Sequence, residues 1–216
     1  MESLEINLID FLTHGASVFQ GSTRWMGWNL FLALIPLGLS GWLFRSSRHV
    51  SLLWGLGVAA FVGFLPNAPY VLTDIIHLIR AIQNNHPLWV VTLVLIPQYL
   101  LFILMGFESY VLSLLSVERW LRQRGHRWAV VWTTLLLHGL SAVGIYLGRF
   151  DRFNTWDLLT RPQSILATLA NNLTTERSLL IILIFTIVIT LLYEVMKQVT
   201  LGLACRIRHY RRRAMG

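Results

Sequence analysis

The feature that most constrains this chain is a series of apolar runs, each about as long as a membrane-crossing helix. The clearest is LLIILIFTIVITLL at 179–192. A helix needs about 20 mostly apolar residues to cross the hydrocarbon. Five such spans are predicted, at roughly 26–44, 50–65, 88–115, 128–147 and 179–204. Charged residues are only 13% of the chain, against about a quarter in soluble domains. We therefore predict an all-α, polytopic helical membrane protein, with 1–216 as a single integral membrane domain.

Three further segments have helical periodicity but are too polar to cross a membrane, at roughly 4–20, 68–84 and 163–173. They are predicted to be short interfacial amphipathic helices. The N-terminus, MESLEINLID, is acidic rather than basic, so no cleavable signal peptide is expected. Cys205 is the only cysteine, which excludes an internal disulfide and a thiolate metal cluster.

The arginines predict an orientation. If the N-terminus lies outside, eleven fall on the inside: Arg45, Arg48, Arg119, Arg122, Arg124, Arg127, Arg206, Arg208, Arg211, Arg212 and Arg213. Six fall outside: Arg24, Arg80, Arg149, Arg152, Arg161 and Arg177. Because cytoplasmic loops accumulate positive residues, we predict a multi-pass protein of the plasma membrane, N-out and C-in. The net charge of +8 then reflects topology, and no nucleic-acid partner is expected. The basic tail RIRHYRRR would attract anionic lipids.

The second span ends in a polar motif, FLPNAPYVLTDIIHL, at 64–78. Pro66 disfavours a continuing helix, and Asn67 is a suitable cap for a new one. Beyond it, Tyr70, Asp74 and His77 recur at spacings of three and four, which places them on one helix face. The motif therefore predicts a polar edge at the membrane boundary. An interfacial helix that merely turns this edge to water has the same pattern.

A second polar motif, GRFDRFNTWD at 148–157, lies in the long connection after the fourth span, on the same predicted face. Arg149 and Arg152 are forked donors suited to a carboxylate or a phosphate. Asn154, Trp156 and Asp157 add an amide, a stacking surface and a carboxylate. An ordinary loop in which arginines and aspartates pair with each other remains the alternative.

Asp74 and His77 are one turn apart, so they are weak candidates for two metal ligands. Asp151 or Asp157 would have to supply a third, and two ligands do not make a site, so neither metal nor cofactor is expected. The same pair is also suited to act as a base and its orienting carboxylate. Asp74, His77 and Asp157 are therefore the candidate catalytic residues.

Three ionisable residues fall within the predicted spans: Glu108, His138 and Glu194. An ionisable group in the hydrocarbon costs at least about 2.5 kcal/mol, so each needs a partner or a proton. Glu194 is predicted to pair with Lys197, three residues on. Satisfied structural contacts are favoured over a proton or ion path, which stays open.

Taken together, PNAPYVLTDIIHL and GRFDRFNTWD resemble a bacterial family of integral membrane proteins, domain of unknown function 1361. The resemblance covers nearly the whole chain and names no reaction. It implies that both polar patches are family features, through Pro66, Asn67, Pro69, Tyr70, Thr73, Asp74 and His77, and through Gly148, Arg149, Arg152, Asn154, Trp156 and Asp157. Thr155 departs from the commoner serine but keeps the hydroxyl.

The two motifs together predict a pocket on the extracytoplasmic face for an anionic small molecule or a lipid headgroup. Its expected ligand-binding residues are Asn67, Tyr70, Asp74, His77, Arg149, Arg152, Asn154, Trp156 and Asp157. Three alternatives stay open: a hydrolase or transferase acting at the membrane surface, a small transporter, and a structural or assembly subunit.

Overall fold

The structure, a computed structural model, describes residues 2–45, 51–84, 86–172 and 175–214. These residues form helices joined by short turns, and no strand occurs among them. The helices are α1 (Glu2–Leu43), α2 (Leu52–Phe64), α3 (Asn67–Tyr70), α4 (Ile75–Gln83), α5 (Leu88–Val90), α6 (Ile96–Gln123), α7 (Ala129–Arg149), α8 (Asp157–Thr160), α9 (Pro162–Asn172) and α10 (Glu176–Ala214). A 3₁₀ turn, Val71–Asp74, joins α3 to α4, and a π-helical turn, Val91–Leu95, joins α5 to α6.

Five helical segments are long and apolar enough to cross a membrane: Gly15–Leu43, Leu52–Gln83, Leu88–Gln123, Ala129–Arg149 and Glu176–Arg211. The last has a mean hydropathy of 2.7. Its large aliphatic side chains are widely exposed, with Leu191 at 64%, as expected for a helix surrounded by lipid. The predicted fold class is therefore confirmed, and the chain is a multi-pass helical protein of a lipid bilayer.

Two segments predicted as separate interfacial helices are continuous with a membrane span. Segment 4–20 belongs to α1, which runs unbroken to Leu43. Segment 68–84 continues the second span, because Leu65 and Pro66 keep right-handed helical dihedrals and the helix resumes at Asn67. Pro66 therefore does not end the helical segment. The third predicted segment, 163–173, corresponds to a helix of its own, α9, as far as Asn172, and residue 173 lies outside the described residues.

Glycines allow the short helix α3 and the turn after it to lie close to two long helices. A Cβ atom at Gly144 of α7 would lie 2.5 Å from Cγ of Pro66, and one at Gly106 of α6 would lie 2.8 Å from Val71. Both distances are shorter than any tolerated carbon contact. The first polar motif therefore packs closely against both α6 and α7. This brings its polar edge next to the end of α7.

A buried carboxylate, Glu118 of α6, attaches the last helix to the bundle. Its Oε1 accepts hydrogen bonds from the Tyr193 hydroxyl at 2.7 Å and from Lys197 Nζ at 2.6 Å, and Arg122 donates to Oε2 at 3.3 Å. The predicted pair of Glu194 with Lys197 is present at 3.7 Å, but it is longer and half-exposed. Glu118, which the sequence did not single out, is the main partner of Lys197.

The other two ionisable residues expected within spans also have partners. His138 is 1% exposed, and its Nδ1 lies 2.7 Å from the Tyr110 hydroxyl. Glu108 accepts a hydrogen bond from Thr200 at 2.8 Å. Each contact joins two helices, so each contributes to packing in a setting where water does not compete for the hydrogen bond. An ion path through these residues stays an open alternative.

The close approach of α7 to Pro66 predicts a contrast between two glycines of the same helix. Gly144→Ala should lower the free energy of unfolding by about 1–3 kcal/mol, because the new methyl group overlaps the proline ring. Gly139→Ala is the matched control, since a Cβ there meets nothing within 4 Å. Thermal unfolding of both variants in detergent checks this, and equal midpoints would contradict the packing.

The Glu118 cluster predicts that removing one cation is costly. Lys197→Met should lower stability by about 3 kcal/mol, because it leaves a buried carboxylate with less compensation. Glu194→Gln removes the more exposed contact of the same lysine and should change stability by less than about 0.5 kcal/mol. Midpoints of thermal unfolding, measured side by side, distinguish the two. An effect of Glu194→Gln as large as that of Lys197→Met would contradict the assignment of Glu118 as the main partner.

Candidate functional site

The two polar motifs meet around a cavity of about 600 Å³. Its walls come from α1, α2, α3, the 3₁₀ turn, α4, α7, the loop after α7, and α9. The lining residues are Trp28, Asn29, Leu32, Val62, Gly63, Pro66, Asn67, Tyr70, Asp74, His77, Leu140, Val143, Gly144, Leu147, Gly148, Arg149, Arg152, Phe153, Asn154, Thr155, Trp156, Ile165 and Leu169. The volume falls within the range of about 300–1,000 Å³ that is typical of small-molecule sites.

Asp74 is the most buried polar group of the cavity, with 1% of its surface exposed. It stands at the N-cap position of α4, where an aspartate usually accepts a hydrogen bond from the helix backbone, yet it makes no such bond. Asn29 Nδ2 donates to its Oδ2 at 3.2 Å instead, and Arg149 Nη1 lies 4.0 Å from its Oδ1. The carboxylate therefore connects α1, α4 and α7.

His77 lies at the rim of the cavity, with 40% of its side chain exposed and its ring 5.0 Å from that of Trp25. Its Nε2 is 3.8 Å from Asp74 Oδ1, which is too long for a hydrogen bond. The predicted base and its orienting carboxylate are therefore neighbours without a direct bond. Among the described residues, no group of three or more His, Cys, Asp or Glu side chains is arranged to hold a metal.

Hydrogen bonds between Asn67 and Thr155 join the first motif to the second, 88 residues further along the chain. Asn67 Nδ2 donates to Phe64 O at 2.9 Å and to Thr155 Oγ1 at 3.0 Å. Beside them, the rings of Phe64 and Trp156 make an edge contact at 6.1 Å. These contacts hold the loop after α7 against the segment around Pro66. The rim of the cavity is therefore built from both motifs.

The last turn of α7 leaves room for the Tyr70 ring of the first motif. A Cβ at Gly148 would lie 3.2 Å from Cε2 of Tyr70, so glycine lets the tyrosine ring lie against the helix backbone. The amide of Phe153 then donates to Leu147 O at 3.2 Å and folds the loop back onto α7. Arg149 and Arg152 are thereby brought to the same end of the cavity.

Arg152 has a φ of +58° and is the only non-glycine residue with a positive φ in the described part of the chain. A left-handed conformation costs an L-residue about 1–2 kcal/mol. Strain of this kind persists where the surroundings determine it, and it is concentrated at functional sites. In this loop the conformation gives Arg152 a place in the cavity wall.

Of the nine predicted ligand-binding residues, eight line the cavity: Asn67, Tyr70, Asp74, His77, Arg149, Arg152, Asn154 and Trp156. Asp157 does not. Its Oδ2 accepts a hydrogen bond from the Asn154 amide at 2.7 Å, so it braces the loop. The binding and catalytic roles of these residues remain predictions.

Asn29 and the apolar walls are the parts of the cavity that sequence reasoning missed. Asn29 had a usable signal, because it is a polar side chain within the first predicted span. Its amide is not ionisable, so it stands out less than the charged residues of the spans. Wall residues such as Leu140 and Val143 had none, since they are indistinguishable by sequence from other apolar residues of α7.

The backbone of Arg152 predicts an order of stability between two variants that both lack the guanidinium group. Arg152→Gly should be more stable than Arg152→Ala by about 1 kcal/mol, because only alanine keeps the Cβ strain at positive φ. Thermal unfolding of the two variants in the same detergent measures the difference. Alanine equal to or more stable than glycine would contradict the left-handed conformation.

The sequence family described as Protein of unknown function (DUF1361) matches residues 28–192. No curated protein and no solved structure matches the chain. The matched region includes every residue that lines the cavity, from Trp28 to Leu169, and both polar motifs. Since the match covers well over half of the sequence, the chain belongs to the DUF1361 family.

Proposed function

We propose that the cavity binds an anionic small molecule or the anionic headgroup of a lipid. The observation that carries this proposal is a pair of arginines, Arg149 and Arg152, at one end of a cavity where Asp74, the only carboxylate among the described lining residues, is already engaged. Guanidinium groups bind phosphates and carboxylates through paired hydrogen bonds. The arrangement therefore suits an anion at the rim of the cavity.

The charges of the lining support this ligand class. Asp74 compensates Arg149 at 4.0 Å, whereas Arg152 makes none of the ion pairs found among the described residues. With His77 neutral, the cavity holds two positive charges against one negative charge. The surplus charge is what an anionic ligand would neutralise on binding.

Neutral groups at the rim add selectivity to this charge. Asn154 and Thr155 line the cavity beside the arginines and offer an amide and a hydroxyl, and Tyr70 and Trp156 offer aromatic surfaces. Binding sites of this kind use a few polar groups to orient a ligand against largely apolar walls.

For a protein of the plasma membrane, the arginine distribution supports an orientation with the N-terminus outside, which would put the cavity on the extracytoplasmic face. On this orientation the exposed basic end of α10 lies on the cytoplasmic side, where it would attract anionic lipids.

The geometry favours the alternative functions less. A surface hydrolase or transferase would use His77 as a base, but its 3.8 Å separation from Asp74 leaves the imidazole unoriented by that carboxylate. A transporter would use Glu108, His138 and Glu194, each of which has a partner on another helix or on its own helix.

Thermal unfolding with paired anionic and neutral probes tests the proposed function. Either sn-glycerol 3-phosphate or phosphatidylglycerol in mixed micelles should raise the midpoint of the wild type by about 5 °C near saturation. Glycerol and diacylglycerol, which lack the phosphate, should not. The shift should disappear in Arg149→Gln/Arg152→Gln, because the double variant lacks both forked donors.

Two further variants make this test specific. Arg152→Gln alone keeps the pair of Asp74 with Arg149 and should still weaken the effect. Arg161→Gln is the matched control, because Arg161 is exposed and does not line the cavity. No shift with either anionic probe, or an undiminished shift in the double variant, would refute the proposed function.

A further inference from the structure

We infer that the occupant of this cavity is a whole membrane lipid with an anionic headgroup, bound with part of its acyl chain inside the protein. This inference rests on the proposed function and names the ligand class that the site selects. Three observations carry it: the change in polarity along the cavity, its size, and its opening toward the lipid-facing surface.

The polarity of the cavity changes along α7. Arg149 stands at the last turn of the helix, and the lining residues before it, apart from two glycines, are Leu147, Val143 and Leu140. Arg149 lies nine positions after Leu140, which corresponds to about 13 Å along the helix. The charged end and the apolar end are therefore separated by more than the dimensions of a headgroup phosphate. A ligand that fits both ends must itself be amphipathic.

The remaining apolar walls come from three other helices. Leu32 of α1 and Val62 of α2 face the cavity, as do Ile165 and Leu169 of α9. Ile165 is 4% exposed, whereas its neighbour Leu166 is 66% exposed, so α9 turns one apolar side to the cavity. A free inorganic anion would make no favourable contact with these walls and would leave them to water, whereas an acyl chain would cover them and displace that water.

The size of the cavity also exceeds the needs of a small anion. At roughly 30 Å³ for each water of the liquid, 600 Å³ corresponds to about twenty waters. A phosphate ion has five heavy atoms and would leave most of this volume to solvent against apolar walls. A headgroup followed by a length of acyl chain would occupy it.

The apolar part of the cavity reaches the outer surface of the helices. Trp28 of α1 and Leu140 of α7 line the cavity and yet are 57% and 41% exposed. Both lie within segments long and apolar enough to cross the membrane. The exposed apolar surface of such helices contacts lipid. A lipid in the surrounding leaflet can therefore enter sideways, between α1 and α7.

Photolabelling in lipid nanodiscs tests this inference. The protein is placed in phosphatidylcholine nanodiscs that contain a trace of phosphatidylglycerol with a diazirine on its acyl chain, or phosphatidylcholine with the same diazirine. The α7 peptide from Leu140 to Leu147 should be labelled about tenfold more by the anionic lipid, the discrimination expected from one charge-assisted hydrogen bond. The preference should fall in Arg152→Gln and disappear in Arg149→Gln/Arg152→Gln.

A variant that fills the apolar end separates a lipid from a small anion. Val143→Phe should reduce labelling by the anionic lipid about tenfold, since the ring occupies space that the acyl chain would fill and leaves the chain less apolar wall to cover. It should leave the thermal shift by sn-glycerol 3-phosphate unchanged. Leu140→Trp, at the lateral opening, provides a second variant in case Val143→Phe unfolds. Val131→Phe, at a position of α7 that is 62% exposed and outside the cavity, is the matched control.

The outcomes distinguish this inference from the proposed function. Equal labelling by the two lipids, with no effect of Val143→Phe or Leu140→Trp, overturns the lipid assignment. If sn-glycerol 3-phosphate then still stabilises the wild type but not Arg149→Gln/Arg152→Gln, the proposed anion site is supported and the lipid assignment is not. If the thermal shift by neither anionic probe depends on the two arginines, both proposals fail.

Discussion

The rest of the site depends on how Asp74 is compensated. An ionised carboxylate removed from water has a desolvation penalty of several kcal/mol unless charges and donors replace the solvent. Here those groups come from two other helices: Asn29 of α1 donates to one oxygen and Arg149 of α7 faces the other. The need to compensate one buried charge therefore holds three separate segments of the chain at fixed positions. The cavity lies between these segments and the walls supplied by α2, α3, α9 and the loop after α7.

This compensation requires that α7 lie close to Pro66, and small residues of α7 make this close packing possible. Gly144 contacts Pro66, and one turn later Gly148 contacts Tyr70. A side chain at Gly144 would overlap the ring of Pro66 and push α7 outward, and one at Gly148 would require the Tyr70 ring to shift. The pairing of Asp74 with Arg149 therefore depends on the glycines of α7. This explains why a run of apolar residues in α7 ends in a Gly-Arg pair directly before the polar loop.

The sequence was informative where one physical effect dominates. Hydrocarbon demands long apolar helices, so the five spans were recognisable, and the cost of polar groups made the two motifs conspicuous. It was less informative where distant parts of the chain decide the outcome. Asp157 has the same carboxylate as Asp74, yet it binds its own loop because Asn154 is three residues away. The helix that continues through Pro66 and the apolar cavity walls depend on tertiary packing, which no local pattern encodes.

The helix that holds the bundle together is not one of those that line the cavity. α6 lies at the centre, where Ser109 donates to Ala33 O of α1, Tyr110 contacts His138 of α7, and Glu118 binds Lys197 of α10. Yet none of the described residues that line the cavity comes from α6 or α10. Tyr99 of α6 packs against Trp25, whose ring lies beside His77 at the rim of the cavity. Glu118 follows Tyr99 by nineteen positions, or about 28 Å along the helix. The Glu118 cluster is therefore remote from the cavity. Because a close-packed scaffold fixes the helices that carry the site, α6 can set the geometry of the cavity without touching its occupant.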